Sequence, residues 1–488
     1  VVVLEDESQW EKIAQVKDDI SHMEHVVMMK GAHVDDPIAM DWEEFLAKGD
    51  EIPDSVADEM LDDLKPDQLA TLIYTSGTTG PPKGVMLSHE NLAWTSAQAV
   101  PLLNFNSNDS LLSYLPLSHI AEKMFSIHTA ITAGYKIYFA TSFNDVADNL
   151  KETRPTTMFG VPRVWEKFHA GLQARLSEAT GVRGQIAAWA QDVGRKANAL
   201  RTQGKEPSGF LGLQYSLADR LFYSKVKEAL GVENVRNYIS GAAPIAKEVL
   251  DFMSGLDIVI YEVYGQSEDC GPTSVNRPGA TKFGSVGQVW PGAEIKIAED
   301  DEILVRGKNV FMGYFKNPEA TAKDLKGEWL QSGDLGKFDE DGYLYIIGRK
   351  KEIMITAGGK NIAPKNLEAA LKNTPLVAEA VLIADRRKFC SALLTLDEEA
   401  LARFAQEKGI SGDNLHEHPE VVAEVQRGVD EEVNTLFARV EQVRKFTILP
   451  RNFTVEDGEL TPTQKIKRRI IDKNWENQIE EMYAKCIR

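Results

Sequence analysis

A short segment, Tyr74 to Gly84, contains the residue types needed to bind a phosphate group. It combines hydroxyl side chains, glycines and one lysine, Lys83, directly after a predicted strand. Glycines let the backbone approach an anion closely, and backbone N–H groups, hydroxyls and a lysine can together surround a phosphate. The segment is not a Walker A loop, because Pro81 and Pro82 precede the lysine and prevent a helix from starting at Gly80. From composition alone, a flexible surface loop is the alternative.

The composition of the chain restricts the class of protein to which it can belong. Its 488 residues are 43% apolar and 26% charged, which is typical of a globular protein and excludes a disordered chain or a continuous coiled coil. The net charge of −19 argues against general affinity for nucleic acid. The three cysteines are far apart and predict neither a zinc site nor a disulfide framework. They favour a reducing compartment, which we take to be the cytoplasm.

Hydrophobic patterning predicts an α/β fold. From Leu69 to about Ile260, apolar strands alternate with amphipathic helices, which indicates a mainly parallel sheet. The most apolar stretch, Met124 to Phe143, carries charged and glycine residues and predicts a buried helix followed by a strand rather than a membrane span. The predicted strands of this part are Leu69–Thr75, Leu111–Leu115, Tyr135–Ala140, Thr156–Val161 and Ile258–Val263.

The pattern changes in the second half of the chain. Beyond Pro278, predicted hairpins replace the alternation, and a charged stretch at 349–352 marks a domain boundary. Helices are predicted at Glu398–Lys408 and over a longer stretch at 418–444. Since the chain opens on a strand-like run instead of Met, we expect the natural protein to have a further N-terminal portion.

The segment Tyr74 to Gly84 resembles the phosphate loop of the acyl-adenylate-forming superfamily, which includes acyl-CoA synthetases, firefly-type luciferases and adenylation domains of peptide synthetases. Further motifs similar to those of the superfamily follow in its order. They are Leu115-Pro116-Leu117-Ser118-His119, Gly241-Ala242-Ala243-Pro244, Tyr264-Gly265-Gln266-Ser267-Glu268, Ser332-Gly333-Asp334-Leu335-Gly336, Gly348-Arg349-Lys350-Lys351-Glu352 and Thr461-Pro462-Thr463-Gln464-Lys465. The resemblance implies a large N-terminal domain of layered sheets and helices (1–348), a hinge (349–352) and a smaller mobile α+β C-terminal domain (353–488).

Within the superfamily, the chain is most similar to long-chain fatty acyl-CoA synthetases of the bubblegum type. Val161-Pro162-Arg163-Val164-Trp165-Glu166-Lys167, the run around Leu460 and a helical insertion at about 398–444 carry this similarity. It implies that a fatty acid attacks the α-phosphorus of ATP to give acyl-AMP and pyrophosphate, after which the thiol of CoA displaces AMP. The first step brings two anions together, so it needs charge neutralisation and positioning more than a general base.

The resemblance assigns expected roles to individual residues. Glu268 suits Mg²⁺ as a hard oxygen ligand, with Thr78 as a second contact; alone, Glu268 would be interpreted as an acid at a helix N-terminus. Lys465 is expected to bridge the carboxylate and the α-phosphate, and His119 to contact the acyl carboxylate or to be satisfied within its loop. The residues expected to bind ATP are Thr75, Ser76, Gly77, Thr78, Thr79, Gly80, Lys83, Gly241, Ala242, Ala243, Tyr264, Gly265, Gln266, Ser267, Asp334 and Arg349.

Three of these nucleotide contacts have structural alternatives. Tyr264 is expected to stack on adenine, or else to be a core tyrosine. Asp334 can accept hydrogen bonds from both ribose hydroxyls, or else is a turn aspartate. Arg349 is expected to contact ribose or phosphate, or else is an exposed charge.

The resemblance also implies an acyl tunnel and a route for CoA. Trp165 is expected to gate the tunnel, near Gly241 and Gly265, with a core aromatic as the alternative. Lys351 occupies the hinge position. Gly358 and Gly359 could accommodate pantetheine, or form only a tight hairpin turn.

The expected function is therefore an ATP- and Mg²⁺-dependent long-chain fatty acid–CoA ligase. A fatty acyl-AMP ligase that loads a carrier protein and a non-catalytic nucleotide- or lipid-binding homologue are the alternatives. The expected partners are fatty acid, ATP and CoA, with no nucleic acid. Transient contact with a membrane surface is compatible with a substrate that partitions into bilayers.

Overall fold

The computed structural model describes residues 1–29, 31–75, 82–412, 414–460 and 466–484. These residues form two compact units, Val1–Gln68 and Leu69–Arg488. Among the helices of these described ranges, none combines the length and apolar character needed to cross a bilayer.

The first unit contains a small parallel sheet. Its strands β1 (Val2–Leu4), β2 (Val26–Met28) and β3 (Ala39–Asp41) pair in that order. Helix α1 (Glu7–Ala14) follows β1, and a separate 3₁₀ turn, Lys17–Asp19, comes after it. Two further helices are α2 (Trp42–Gly49) and α3 (Asp54–Asp62), the second lying in an exposed acidic segment.

The second unit contains the remaining elements. Its strands are β4 (Leu69–Thr75), β5 (Lys83–Ser88), β6 (Ser110–Ser113), β7 (Lys136–Phe139), β8 (Thr157–Gly160), β9 (Asn237–Ser240), β10 (Ile260–Tyr264), β11 (Ser274–Val275), β12 (Gln288–Val289), β13 (Glu294–Ile297), β14 (Glu302–Arg306), β15 (Gly313–Tyr314), β16 (Leu325–Lys326), β17 (Trp329–Phe338), β18 (Leu344–Arg349), β19 (Met354–Ile355), β20 (Asn361–Ile362), β21 (Val377–Ile383), β22 (Cys390–Leu396) and β23 (Val443–Ile448). Its helices are α4 (His89–Leu102), α5 (Ile120–Lys123), α6 (Ala130–Ala133), α7 (Val146–Thr153), α8 (Pro162–Ser177), α9 (Gly181–Arg201), α10 (Gly209–Ala218), α11 (Ser224–Leu230), α12 (Lys247–Gly255), α13 (Pro318–Asp324), α14 (Pro364–Leu371), α15 (Glu398–Lys408), α16 (Pro419–Arg427), α17 (Arg468–Asn474) and α18 (Glu476–Ala484). Turns of π-helix occupy Met124–Thr129, Asp219–Tyr223 and Gly428–Val433.

A central sheet has the strand order β12-β11-β10-β9-β8-β6-β7. Strands β7, β6, β8, β9 and β10 are parallel, and β11 and β12 add two antiparallel strands at one edge. Every residue of β8 and β9 is buried, as expected for parallel strands that are covered on both faces. This confirms the α/β prediction, and the five predicted strands are present with bounds that differ by at most two residues.

The smaller sheets are mainly antiparallel. Strands β15, β5 and β4 form one sheet, and β13, β14, β17 and β16 form another, in which β18 also pairs with β17. The hairpins predicted after Pro278 are present in this second sheet. Near the C-terminus, β19 pairs with β20, and β21, β22 and β23 form a separate sheet.

One predicted element is wrong in part. The stretch 418–444 is helical only as far as Leu436, and Val443 begins strand β23, which pairs in parallel with β22. All residues of β22 are buried, so its second edge needs a hydrogen-bonding partner. Strand β23 supplies that partner, and this tertiary requirement outweighs the helical pattern of the sequence.

Candidate active site

A cavity of about 950 Å³ lies within the second unit, where the predicted motifs meet. The motifs at 115–119, 241–244 and 264–268 each follow the carboxyl end of a parallel strand of the central sheet, namely β6, β9 and β10. In open α/β sheets, ligands bind outside this edge. The strand order therefore brings the segment at 115–119 to the same sheet edge as the other two, which lie more than a hundred residues later in the chain.

The cavity wall is polar near the loops and apolar against the sheet. Polar lining residues include Lys83, Gln266, Glu268, Ser332 and Arg349. Apolar lining residues come from α4, from the π-helical turn and from one face of the central sheet, and they include Leu103, Phe125, Phe159, Ile239, Val263 and Trp290. The cavity can therefore receive a charged group at one part and an apolar group at another.

Trp165 lies on the opposite face of the central sheet from the cavity. Successive side chains of a strand point to opposite faces, and Phe159 is paired in register with Ile239 on the cavity face. Met158 and Tyr238 are paired on the other face, in the apolar cluster that contains Trp165. The indole is 1% exposed and donates through Nε1 to the carbonyl of Gly160 over 3.1 Å. In this arrangement Trp165 is a core aromatic, the alternative that its sequence context left open, and its role as a gate stays a prediction.

Asp334 is held by two partners from different elements. Its Oδ1 accepts from Arg349 Nε over 3.1 Å, and its Oδ2 accepts from the hydroxyl of Tyr264 over 2.9 Å. Burial raises the pKa of the Asp334 carboxyl, which Arg349 opposes. Each oxygen retains a lone pair, so the carboxylate can still accept from a ligand hydroxyl.

Glu268 lies in the cavity wall in a 3₁₀ turn, Ser267–Asp269. Its Oε1 accepts from the hydroxyl of Tyr314 over 2.8 Å, and burial raises the pKa of the carboxyl. A desolvated carboxylate is stabilised by a nearby cation, so Glu268 fits the mode in which Mg²⁺ takes one or two carboxylates together with substrate phosphates. Within the described ranges, no group of three His, Cys, Asp or Glu side chains is placed to hold a metal ion.

Close contacts with neighbouring segments explain two of the glycines at the site. A Cβ on Gly265 would lie 1.5 Å from the carbonyl oxygen of Gly271, and a Cβ on Gly241 would lie 2.7 Å from the side chain of Val263. Next to Gly241, Ala242 lines the cavity with φ 72°, a strained value for a residue with a side chain. Ala243 completes the same turn after β9. These loops are therefore held tightly against the sheet edge.

The side-chain amide of Gln266 has a hydrogen-bond donor, Nε2, without a partner among the described residues. Its backbone N–H donates to Asp269 Oδ1 over 2.8 Å, and its side chain lines the cavity. The buried Nε2 has no hydrogen-bond partner within the described part of the chain.

Other predicted residues divide into those in the cavity wall and those away from it. Thr75, Ser267, His119 and Lys351 line the cavity. His119 is the N-cap of α5, and its Nδ1 accepts from the N–H of Ala121 over 3.3 Å. Gly358 and Gly359 form an exposed turn between β19 and β20 and do not line the cavity. Their contact with CoA stays a prediction.

Several of the predicted contacts lie outside the described residues. They are Ser76, Gly77, Thr78, Thr79, Gly80 and Lys465. Lys83, the last phosphate contact predicted from the loop, is described and begins β5.

Tyr314 and Asp324 line the cavity and are not among the predicted site residues. Tyr314 contacts Glu268 and Asp324 through its hydroxyl, and Asp324 accepts from Lys83. Both lie in the segment after Asn309, where no local pattern distinguishes them from ordinary surface residues. The pairing of β15 with β5 brings Tyr314 close to Lys83, and Asp324 of α13 contacts both of them.

Comparison with known proteins identifies the family. Residues 1–315 match the model of the AMP-binding enzyme family, and residues 351–486 match the model of the AMP-binding enzyme C-terminal domain. The chain is 39% identical to the long-chain-fatty-acid–CoA ligase ACSBG2 of Xenopus laevis, over 99% of this chain and 70% of that protein. It is 32% identical to the human protein of the same name, over 99% of this chain and 77% of that protein.

Solved structures show the same fold at lower identity. The adenylation domain of a carboxylate reductase from Mycobacterium chelonae superposes with a TM-score of 0.70 at 22% identity, covering 99% of this chain and 70% of that one. ATP-bound MatB from Rhodopseudomonas palustris gives a TM-score of 0.61 at 24% identity, covering 97% and 78%. Together with the family models, these likenesses confirm the resemblance inferred from the motifs: the chain belongs to the AMP-binding enzyme family.

Proposed function

We propose that the chain activates a long-chain fatty acid with ATP, through an acyl-AMP intermediate, and transfers the acyl group to CoA. One observation carries this proposal: a single cavity combines polar residues suited to a nucleotide with an apolar wall suited to an alkyl chain. The names of the Xenopus and human relatives support the same substrate class. The apolar part favours a fatty acid over a small polar acid.

The polar residues have separate tasks in this proposal. Asp334 accepts from the ribose hydroxyls, Gln266 donates to an acceptor on the nucleotide, and Lys83 neutralises phosphate charge. Lys465 supplies a positive charge between the fatty acid carboxylate and the α-phosphate. These groups position two anions and reduce their repulsion, which is the main requirement of the first step.

Mg²⁺ is part of the proposed site. Glu268, with Thr78, would hold the ion, and the ion would neutralise charge on the triphosphate. The carboxylate of Glu268 is kept in place by the hydroxyl of Tyr314. In the second half-reaction, the turn at Gly358 and Gly359 would contact the pantetheine of CoA.

The function is tested by measuring the two half-reactions separately. Pyrophosphate–ATP exchange is measured with palmitate and with acetate, and thioester formation is measured with CoA and with a phosphopantetheinylated carrier protein. We expect exchange that depends on palmitate, and thioester formation with CoA.

The control variant is Lys83→Met, which should reduce exchange without a change in melting temperature. Exchange without transfer to CoA, but with transfer to the carrier, would favour an acyl-AMP ligase. Nucleotide binding without exchange would favour a non-catalytic homologue.

A further inference from the structure

Tyr314 is the centre of a cluster that joins the phosphate loop to the predicted metal ligand. Its hydroxyl lies 2.8 Å from Glu268 Oε1 and 3.1 Å from Asp324 Oδ2. Lys83 Nζ donates to the same Asp324 oxygen over 3.1 Å and lies 4.3 Å from the centre of the Tyr314 ring. These side chains come from β5, β15, α13 and the turn after β10, so the cluster forms only in the folded unit.

The ammonium group of Lys83 is held from two sides. One N–H donates to Asp324, and the face of the Tyr314 ring attracts the positive charge. An ammonium has three donors, so two remain for a ligand in the cavity that Lys83 and Asp324 both line. A lysine side chain loses considerable rotamer freedom when it is fixed, and fixing it before the ligand arrives reduces the loss of entropy on binding.

The position of Asp324 is unfavourable for its own helix. It is the last residue of α13, and a negative charge at a helix C-terminus is repelled by the helix dipole. The aspartate at this position therefore does not stabilise α13. Its contact with Lys83 explains why a negative charge is present there. For the same reason, Asp324→Asn should not destabilise the fold.

We propose that Asp324 is a positioning residue, which orients Lys83 toward the β- and γ-phosphates of ATP. This inference rests on the proposed function, because it takes ATP as the ligand of the cavity. Asp324 does not touch the nucleotide itself; it acts by holding the lysine that does.

The test compares two ligands that differ only beyond the α-phosphate. Dissociation constants for α,β-methylene-ATP and for AMP are measured by calorimetry at one Mg²⁺ concentration. Asp324→Asn should weaken the ATP analogue about tenfold, which is the size expected for a charge-assisted contact. AMP has no β- or γ-phosphate, so its affinity should change less than about twofold.

Two further variants show whether Asp324 acts through Lys83. In a Lys83→Met background, Asp324→Asn should have no additional effect on the ATP analogue, because the lysine it orients is absent. Asp324→Glu keeps the charge and should recover part of the affinity. The matched control is Asp341→Asn, which removes a carboxylate 2.6 Å from Lys282 and outside the cavity wall; it should leave both affinities unchanged.

Several outcomes would overturn the inference. Equal weakening of AMP and of the ATP analogue would show a general structural role for Asp324. Tighter binding of the ATP analogue by Asp324→Asn would show that the carboxylate competes with phosphate for Lys83. Additive effects in the Lys83→Met background would show that Asp324 acts independently. If the wild-type chain bound neither ligand, the proposed function itself would fail, which is distinguishable from all three.

Discussion

Arg349 lies directly opposite Asp334 in the antiparallel pairing of β17 with β18, and its Nε donates to Asp334 Oδ1 over 3.1 Å. The other carboxylate oxygen accepts from Tyr264, which reaches it from the central sheet. Residues from two sheets therefore hold one buried carboxylate, next in the chain to Ser332 and Gly333 of the cavity wall. This arrangement fixes the orientation of the Asp334 carboxylate, which is the group that we propose accepts from the ribose hydroxyls.

Asp334→Asn should weaken AMP and α,β-methylene-ATP by the same factor. Both ligands carry the ribose, and the amide removes the charge that strengthens the hydrogen bonds from its hydroxyls. We expect a loss of about tenfold to a hundredfold for each ligand, measured by calorimetry. The matched control is Asp300→Asn at an exposed ion pair with Lys350. A loss confined to the ATP analogue would contradict contact with ribose.

Glu268→Gln should raise the Mg²⁺ concentration needed for activity. The substitution preserves the size of the side chain and removes one ligand charge, while a glutamine oxygen can still accept from the Tyr314 hydroxyl. Pyrophosphate exchange is titrated with Mg²⁺ in both proteins, and excess Mg²⁺ should restore part of the activity of the variant. An unchanged Mg²⁺ dependence would make Glu268 a structural residue.

Lys465→Ala should impair acyl-AMP formation much more than transfer from supplied acyl-AMP to CoA. Only the first half-reaction needs a cation between two anions, and loss of one such donor typically costs about 2.7–4 kcal/mol. The two half-reactions are measured on the same preparation. Lys467→Ala, two residues away in the same basic segment, is the control and should affect neither. An equal loss in both half-reactions would contradict the role of Lys465.

Glu262 should make the fold less stable as the pH rises toward 8. Burial raises the pKa of this carboxyl to about 8, and its Oε2 accepts from the N–H of Gly284 over 3.1 Å. In an unfolded chain the pKa of a glutamate is about 4.3. Between about pH 4 and pH 8, the folded state therefore binds a proton that the unfolded state does not. The free energy of unfolding therefore decreases from about pH 4 to about pH 8.

Glu262→Gln should remove that component of the pH dependence. At pH 8.5 the variant should be more stable than the wild type by up to about 5 kcal/mol, since one pKa unit corresponds to about 1.4 kcal/mol. Urea unfolding at pH 5 and pH 8.5 measures this difference. Glu299→Gln, at an exposed position, is the control. The same pH dependence in the wild type and in Glu262→Gln would show that Glu262 is ionised in the folded protein.

Local patterns in the sequence predict where helices and strands lie more accurately than they predict which of these elements contact each other. The bounds predicted for the strand Leu69–Thr75 and the helix Glu398–Lys408 agree with the structure, because alternation and helical periodicity are local. The ordered motifs predict the family for a similar reason, since each is a short run of residue types. Strand β23 was missed because its formation depends on the unpaired edge of β22.

Two features of the site could not be predicted because they depend on contacts between distant segments: the position of Trp165 and the cluster around Tyr314. Successive side chains of a strand point to opposite faces of the sheet, so a shift of one residue exchanges the face that lines the cavity. The sequence predicts the strand before Trp165 without its register, and for this reason it does not show on which face of the sheet Trp165 lies. The cluster around Tyr314 joins residues from Lys83 to Asp324. No local feature of these residues indicates that they meet, because the pairing of β15 with β5 determines it.

Lys351→Pro should preserve acyl-AMP formation and impair transfer to CoA. Lys351 lines the cavity just after the end of β18, in the segment where the motifs predict a hinge. A hinge changes φ and ψ at a few residues between elements. Proline fixes φ at about −65° and removes the backbone N–H donor. If that angle suits the first half-reaction, acyl-AMP forms and the second arrangement cannot be reached.

Pyrophosphate exchange, transfer from supplied acyl-AMP and thermal unfolding are measured together on Lys351→Pro. Lys351→Ala is the matched control, because it removes the same side chain and leaves the backbone free to rotate; it should support both half-reactions. Loss of both half-reactions with a lower melting temperature would mean that proline has disrupted the end of β18. A folded Lys351→Pro protein with normal transfer to CoA would show that rotation at this position is not required.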